Sequence, residues 1–187
     1  MNINEIKEIL ESAGIVFSSG LTDEEIKSTE LKYNFIFPPD LREFLFYALP
    51  ISQGWVDWRN GDEKVIQGRL NWPYEGICFD IEHNNFWMND WGEKPTVLED
   101  CFAVAKKNID SAPKLIPICS HRYIPDSPNL AGNPIFSVYQ TDIIYYGSNL
   151  DNYFENEFSY YFKTSEHIIS GPIRKIELWS NIVDENN

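Results

Sequence analysis

The 187 residues carry 29 acidic against 15 basic side chains, a formal net charge of −14, and are 43% apolar and 15% aromatic. That balance supplies enough apolar surface for one globular domain and argues against direct nucleic-acid binding, because an acidic chain repels phosphate unless its bases concentrate on one face. They do not: residues 1–50 hold nine acids and four bases, 51–100 ten and four, 101–150 three and four, and 151–187 seven and three. With no basic-then-apolar leader and no apolar run near the roughly 18 residues of a membrane span, the sequence predicts a soluble, cytoplasmic protein without membrane contact.

In chain order, Ile3, Ile6, Leu10 and Ala13 recur at helical spacing and Gly14 follows as a stop. A second helix begins at Thr22, which with Glu25 makes a capping-box pattern. Pro38-Pro39 open a third helix, with Leu41, Phe44, Leu45 and Ala48 on one face and Pro50 closing it. Residues 51–98 hold Trp55, Trp58, Trp72, Trp87 and Trp91 among Gly, Asn and Asp, which predicts short strands and turns, Tyr74 to Asp80 being the best strand. Glu99 to Ile109 reads as a helix carrying Cys101, Phe102, Ala105 and Ile109.

The clearest strands lie between Lys114 and Gly147. Leu115-Ile116-Pro117-Ile118 reads as an edge strand, because proline cannot donate to a ladder. His121-Arg122-Tyr123 then leads into a long loop punctuated by Pro125, Pro128, Gly132 and Pro134. Ile135 to Tyr139 and Ile143 to Tyr146 form a hairpin around a tight turn at Thr141-Asp142. Leu150 to Phe162 reads as one helix, and Pro172 to Val183 as a strand from Ile173 followed by a helix with Ile176, Trp179 and Val183. Together these elements predict an α+β fold: a single domain with a mostly antiparallel or mixed central sheet and helices packed mainly on one side.

The Leu-Thr-Asp-Glu-Glu-Ile helix start at Leu21 to Ile26 and the Pro-Pro-Asp-Leu turn at Pro38 to Leu41 precede the proline-bearing strand and His121-Arg122-Tyr123. Gly132-Asn133-Pro134 and a hairpin ending in Tyr145-Tyr146-Gly147 follow. This order resembles the SUKH superfamily, the fungal cell-wall-regulator-like domains widespread in bacteria, over most of the chain. The resemblance implies an α+β domain with a shallow partner-binding surface and, for bacterial members, a neutraliser of polymorphic toxins, often nucleases.

Catalytic signatures are missing: no phosphate-binding glycine loop, dinucleotide motif, nucleophile elbow or helix-borne zinc pair occurs. Cys119 and His121 could line a small pocket, but their spacing matches no standard metal pair, and neither metal nor cofactor is expected. Cys78, Cys101 and Cys119 are odd in number and far apart, which fits buried hydrophobes better than disulfides. Carboxylate pairs such as Asp80 with Glu82, or Asp57 with Asp62, arise by chance among 29 acids.

The remaining reading is recognition of a protein. Asp57, Glu63, Asp80, Glu82 and Asp90 are candidate acids for steering a basic partner, Trp58 and Trp91 candidate apolar anchors, and Arg122 and Tyr123 candidate orienting contacts. Against this stand core packing for the tryptophans and, for Arg122, an internal clamp on a nearby acid. A cognate toxin is the leading partner, a regulatory scaffold of cellular proteins the alternative, and a small-ligand or metal-dependent activity near His121 and Cys119 the third.

Overall fold

A computed structural model describes residues 2–164 and 167–186. The N-terminal part packs α1 (Ile3–Ser12), α2 (Asp23–Tyr33) and α3 (Pro39–Tyr47) around an antiparallel pair, β1 (Phe17–Ser19) and β2 (Ala48–Pro50). The Thr22 capping box forms as read: Thr22 Oγ1 accepts from Glu25 N and Glu25 Oε2 accepts from Thr22 N. Pro50 ends a strand rather than the third helix, which stops at Tyr47.

Residues 51–98 depart most from the sequence reading. Instead of short strands they form α4 (Glu63–His83), which absorbs the segment Tyr74 to Asp80. Asp62 caps it, its Oδ1 accepting from Lys64 N and Val65 N. Ile66, Pro73, Ile77 and Ile81 are buried at helical spacing. Pro73 and two glycines hid that period, since both residue types are poor interior helix formers. A single 3₁₀ turn at Asn89–Trp91 leads to α5 (Leu98–Ser111).

The principal sheet orders β3 (Leu115–Cys119), β4 (Arg122–Pro125), β5 (Ile135–Tyr139) and β6 (Asp142–Gly147) as one antiparallel meander. Pro117 therefore sits on an edge strand, as expected, next to a register shift between Pro117 and Cys119. Arg122 and Tyr123 belong to the inner strand β4 and not to a loop, because Ser120 takes a positive φ of 49° and turns the chain back immediately. The hairpin turn falls at Gln140-Thr141, one residue earlier than read.

Helices cover both faces of this sheet rather than mainly one. Ile116, Ile118, Ile124 and Ile135 pack with the N-terminal helices and Phe154, whereas Leu115, Tyr123, Phe136, Val138 and Ile143 pack with Ile77, Ile81, Ala105 and Ile182. Both sets of alternating residues are apolar, so both faces demand cover. The segment Leu150 to Phe162 breaks at Phe158 into α6 (Leu150–Glu157) and α7 (Ser159–Phe162). No strand forms at Ile173, and α8 (Trp179–Glu185) closes the second core with Trp179, Ile182 and Val183. Among the described residues no helix is long and apolar enough to cross a membrane.

Candidate functional site

The site is built on α4 and the two hairpin turns that dock against it. Pro73 has no N–H, so within the helix the carbonyl of Arg69, four residues earlier, loses its usual donor. Tyr123 supplies it: its phenol donates to Arg69 O at 2.9 Å. Burial holds the Tyr123 phenol well above its ordinary pKa, so it remains a donor. Farther along the helix, Asp80 Oδ2 accepts from Thr141 N at 2.8 Å and from Thr141 Oγ1 at 2.6 Å, tying the β5 to β6 turn down. Gly76 makes room for that turn, since a Cβ there would lie 2.7 Å from Gln140 Cα.

Beside the Tyr123–Arg69 contact runs a cleft of about 410 Å³ lined by Val65, Gly68, Arg69, Trp72, Ser120, His121, Tyr123 and Tyr139. Hollows of about 510 and 480 Å³ lie elsewhere, one rimmed by Asp40, Glu43 and Asp151 and the other by Lys106, Asp110 and Lys114. The α4 cleft differs in having aromatic walls and no carboxylate among its lining residues. Trp72 Nε1 donates to Val138 O at 3.3 Å, which fixes the indole across the β5 end. Arg69 is fixed at its head as well, Nη2 donating to Gly54 O at 2.6 Å and to Ser120 O at 3.2 Å.

The outer face of α4 continues this surface. Val65, Trp72 and Phe79 recur every seven residues and are 62, 42 and 45% exposed, and Tyr139 from the adjacent strand is 59% exposed. Exposed Glu75, Glu82 and Asp142 flank them, whereas Glu63 lies round the helix from this face and pairs with Lys32 at 2.8 Å. An apolar centre with a polar rim is the anatomy of a protein interface.

Several residues singled out in the sequence lie elsewhere or point inward. Trp58 is buried among Tyr33, Phe35 and Phe37, with ring centres 5.4 to 6.0 Å away, and is no surface anchor. Trp91 is half-buried edge-on to Phe86 and Trp87. Asp57 accepts from the backbone of Arg59 and Asn60 and shapes a turn. Asp80 is buried as the hairpin clamp, so it is not a steering charge.

Arg122 is also buried, on the sheet face opposite Tyr123. Its Nε donates to Glu157 at 3.0 Å, Nη1 donates to Ser137 Oγ at 2.7 Å, and the guanidinium lies 3.5 Å from the centre of the Tyr146 ring. It is an internal clamp on an acid, and the partner contact assigned to it and to Tyr123 gives way to structural roles. Glu63, Glu82 and Asp90 remain exposed. Glu63 and Glu82 are 19 residues apart on one helix, about 28 Å, and Glu63 is paired with Lys32 at 2.8 Å, so the two do not form a cluster.

His121 lines the cleft from the β3 to β4 turn, while Cys119 sits behind it, half-buried. Burial pushes the Cys119 thiol above its ordinary pKa, opposite to the shift an activated nucleophile needs. Burial and the neighbouring Arg122 lower the pKa of His121. Among the described residues no three His, Cys, Asp or Glu side chains gather as a metal site. Comparison with protein-family models, curated proteins and solved structures finds no match to this chain.

Proposed function

We propose that the protein is a non-enzymatic, stoichiometric binding protein whose partner surface is the outer face of α4 with the adjoining hairpin turns. The observation that carries this reading is the exposed series Val65, Trp72, Phe79 and Tyr139 flanked by Glu75, Glu82 and Asp142. Apolar side chains held on a rigid helix supply contact area at low entropic cost, and the acidic border selects a basic protein. The net charge of −14 steers the same class of partner from a distance.

Most specifically, the partner is a bacterial toxin directed at nucleic acids, and the chain acts as its immunity protein. That assignment draws on the SUKH resemblance together with the charge: an enzyme that cuts nucleic acid is basic around its cleft, which an acidic surface can cover. The test is co-expression with the product of the adjacent gene. Growth rescue accompanied by a one-to-one complex supports the proposal; toxicity unaffected by this chain, with no complex formed, contradicts the immunity role.

A further inference from the structure

We infer that the cleft between α4 and the two hairpin turns is a binding site for a small aromatic carboxylate, with Arg69 holding the carboxylate and Trp72 and Tyr139 holding the ring. This stands whether or not the surrounding face receives a protein. Arg42, Arg59 and Arg122 each hold a carboxylate of the chain, Asp23, Glu25 and Glu157 respectively. Arg69 and Arg174 hold none among the described residues, although the chain carries 29 acids; Arg174 is bonded to Ala131 O and Asn133 Oδ1, and Arg69 alone of the two lines an aromatic cleft. The Arg69 guanidinium is pinned by two backbone carbonyls through Nη2 alone, so the Nε and Nη1 hydrogens have no acceptor among the described residues.

A cation fixed in this way has already lost its rotamer freedom and offers a carboxylate its charge and a single N–H from Nε or Nη1, since both bidentate edges of the guanidinium run through the occupied Nη2. The cleft around it adds the second half of the ligand. Trp72 and Tyr139 are large, partly exposed rings lining the cleft, with Val65 and the Tyr123 ring completing the apolar wall. His121 and Ser120 add polar groups at the same end as Arg69. A volume of about 410 Å³ suits one ring and a short acidic arm, near the lower end of ligand clefts. Glu75 acts on Tyr123, and Arg122 with its partner Glu157 acts on His121, while at physiological salt charges beyond about 8 Å are screened; Arg69 is the cation among the lining residues themselves.

The test is titration of the isotopically labelled full chain with 3-phenylpropionate and, separately, with 3-phenylpropionamide, followed by NMR. The inference expects saturable shifts of the Trp72 indole N–H and of the His121 and Tyr139 amides with the acid, and binding of the amide at least tenfold weaker. Arg69→Gln should weaken the acid at least tenfold while leaving the amide unchanged. Because Arg69 also tethers Gly54 and Ser120, Tyr139→Ala serves as an independent variant outside those tethers and should weaken acid and amide alike. Equal binding of acid and amide, shifts confined to other surfaces, or no saturable binding of the acid would each overturn the site.

Discussion

Tyr123 donates its phenolic hydrogen to the Arg69 carbonyl, the one that Pro73 leaves without its helical partner. The same contact joins the inner strand of the sheet to the middle of α4 and sets the floor of the cleft. Tyr123→Phe should therefore cost about 1–3 kcal/mol, the price of a buried carbonyl left unpaired. In a Pro73→Ala background the restored N–H at residue 73 can serve that carbonyl, so the cost should fall. A double-mutant cycle by urea unfolding reads the coupling, and equal costs in both backgrounds would contradict the relationship.

Tyr153 provides the opposite case. Its hydroxyl is buried with no hydrogen-bond partner among the described residues. Removing a hydroxyl that gains nothing in the fold should be neutral or stabilising by up to about 1–2 kcal/mol. Of the same chemical change at two buried rings, Tyr123→Phe should thus lower the unfolding midpoint, whereas Tyr153→Phe should leave it unchanged or raise it.

The two glycines of α4 make a similar pair. Gly68 has nothing within 4 Å of an added Cβ, so Gly68→Ala should follow helix propensity and stabilise by about 0.5–1 kcal/mol. At Gly76 the methyl would meet the Gln140 backbone at 2.7 Å, so Gly76→Ala should destabilise by about 1–3 kcal/mol. Thermal unfolding of both variants checks the signs, and stabilisation by Gly76→Ala would mean that the hairpin turn does not dock as described.

Acid dependence follows from Glu25. Hydrogen bonds from the Arg59 side chain, then from the Thr22 backbone, hold its pKa at about 2 against an ordinary value of 4.5. A carboxyl whose folded pKa is lowered contributes stability above its unfolded pKa and loses it as pH falls through the folded value. Glu25→Gln should accordingly be less stable than the wild type at neutral pH, with the gap closing as pH falls from about 4.5 towards 2. Urea unfolding across that range tests it, and a gap independent of pH would rule out the Arg59 pairing as its source.

How far the sequence foretold this molecule varies by element. The capping box at Thr22, the β5 to β6 hairpin and the edge position of Pro117 were legible because each depends on local chemistry. Helix α4 was not, since its interior proline is tolerated only through a bond from Tyr123, 50 residues later. The proposed partner surface is hidden in the sequence for the same reason. Once the segment is taken as helical, the seven-residue spacing of Val65, Trp72 and Phe79, offset from the buried Ile66, Pro73, Ile77 and Ile81, exposes the outer face. Neighbouring charge in the sequence does not separate a buried Trp58 or Asp80 from an exposed Trp72 or Glu82.

The most direct test of the partner surface is quantitative capture from the native cell with the wild type and with a Val65→Ser, Phe79→Ser double variant of matched fold and thermal stability. Both side chains are largely outside the core, so their loss should leave the fold intact. A basic protein retained in one-to-one ratio by the wild type, and recovered at least tenfold less by the variant, is the predicted result. Equal recovery by the two, or a retained partner that is acidic, would contradict a basic protein docking on the outer face of α4.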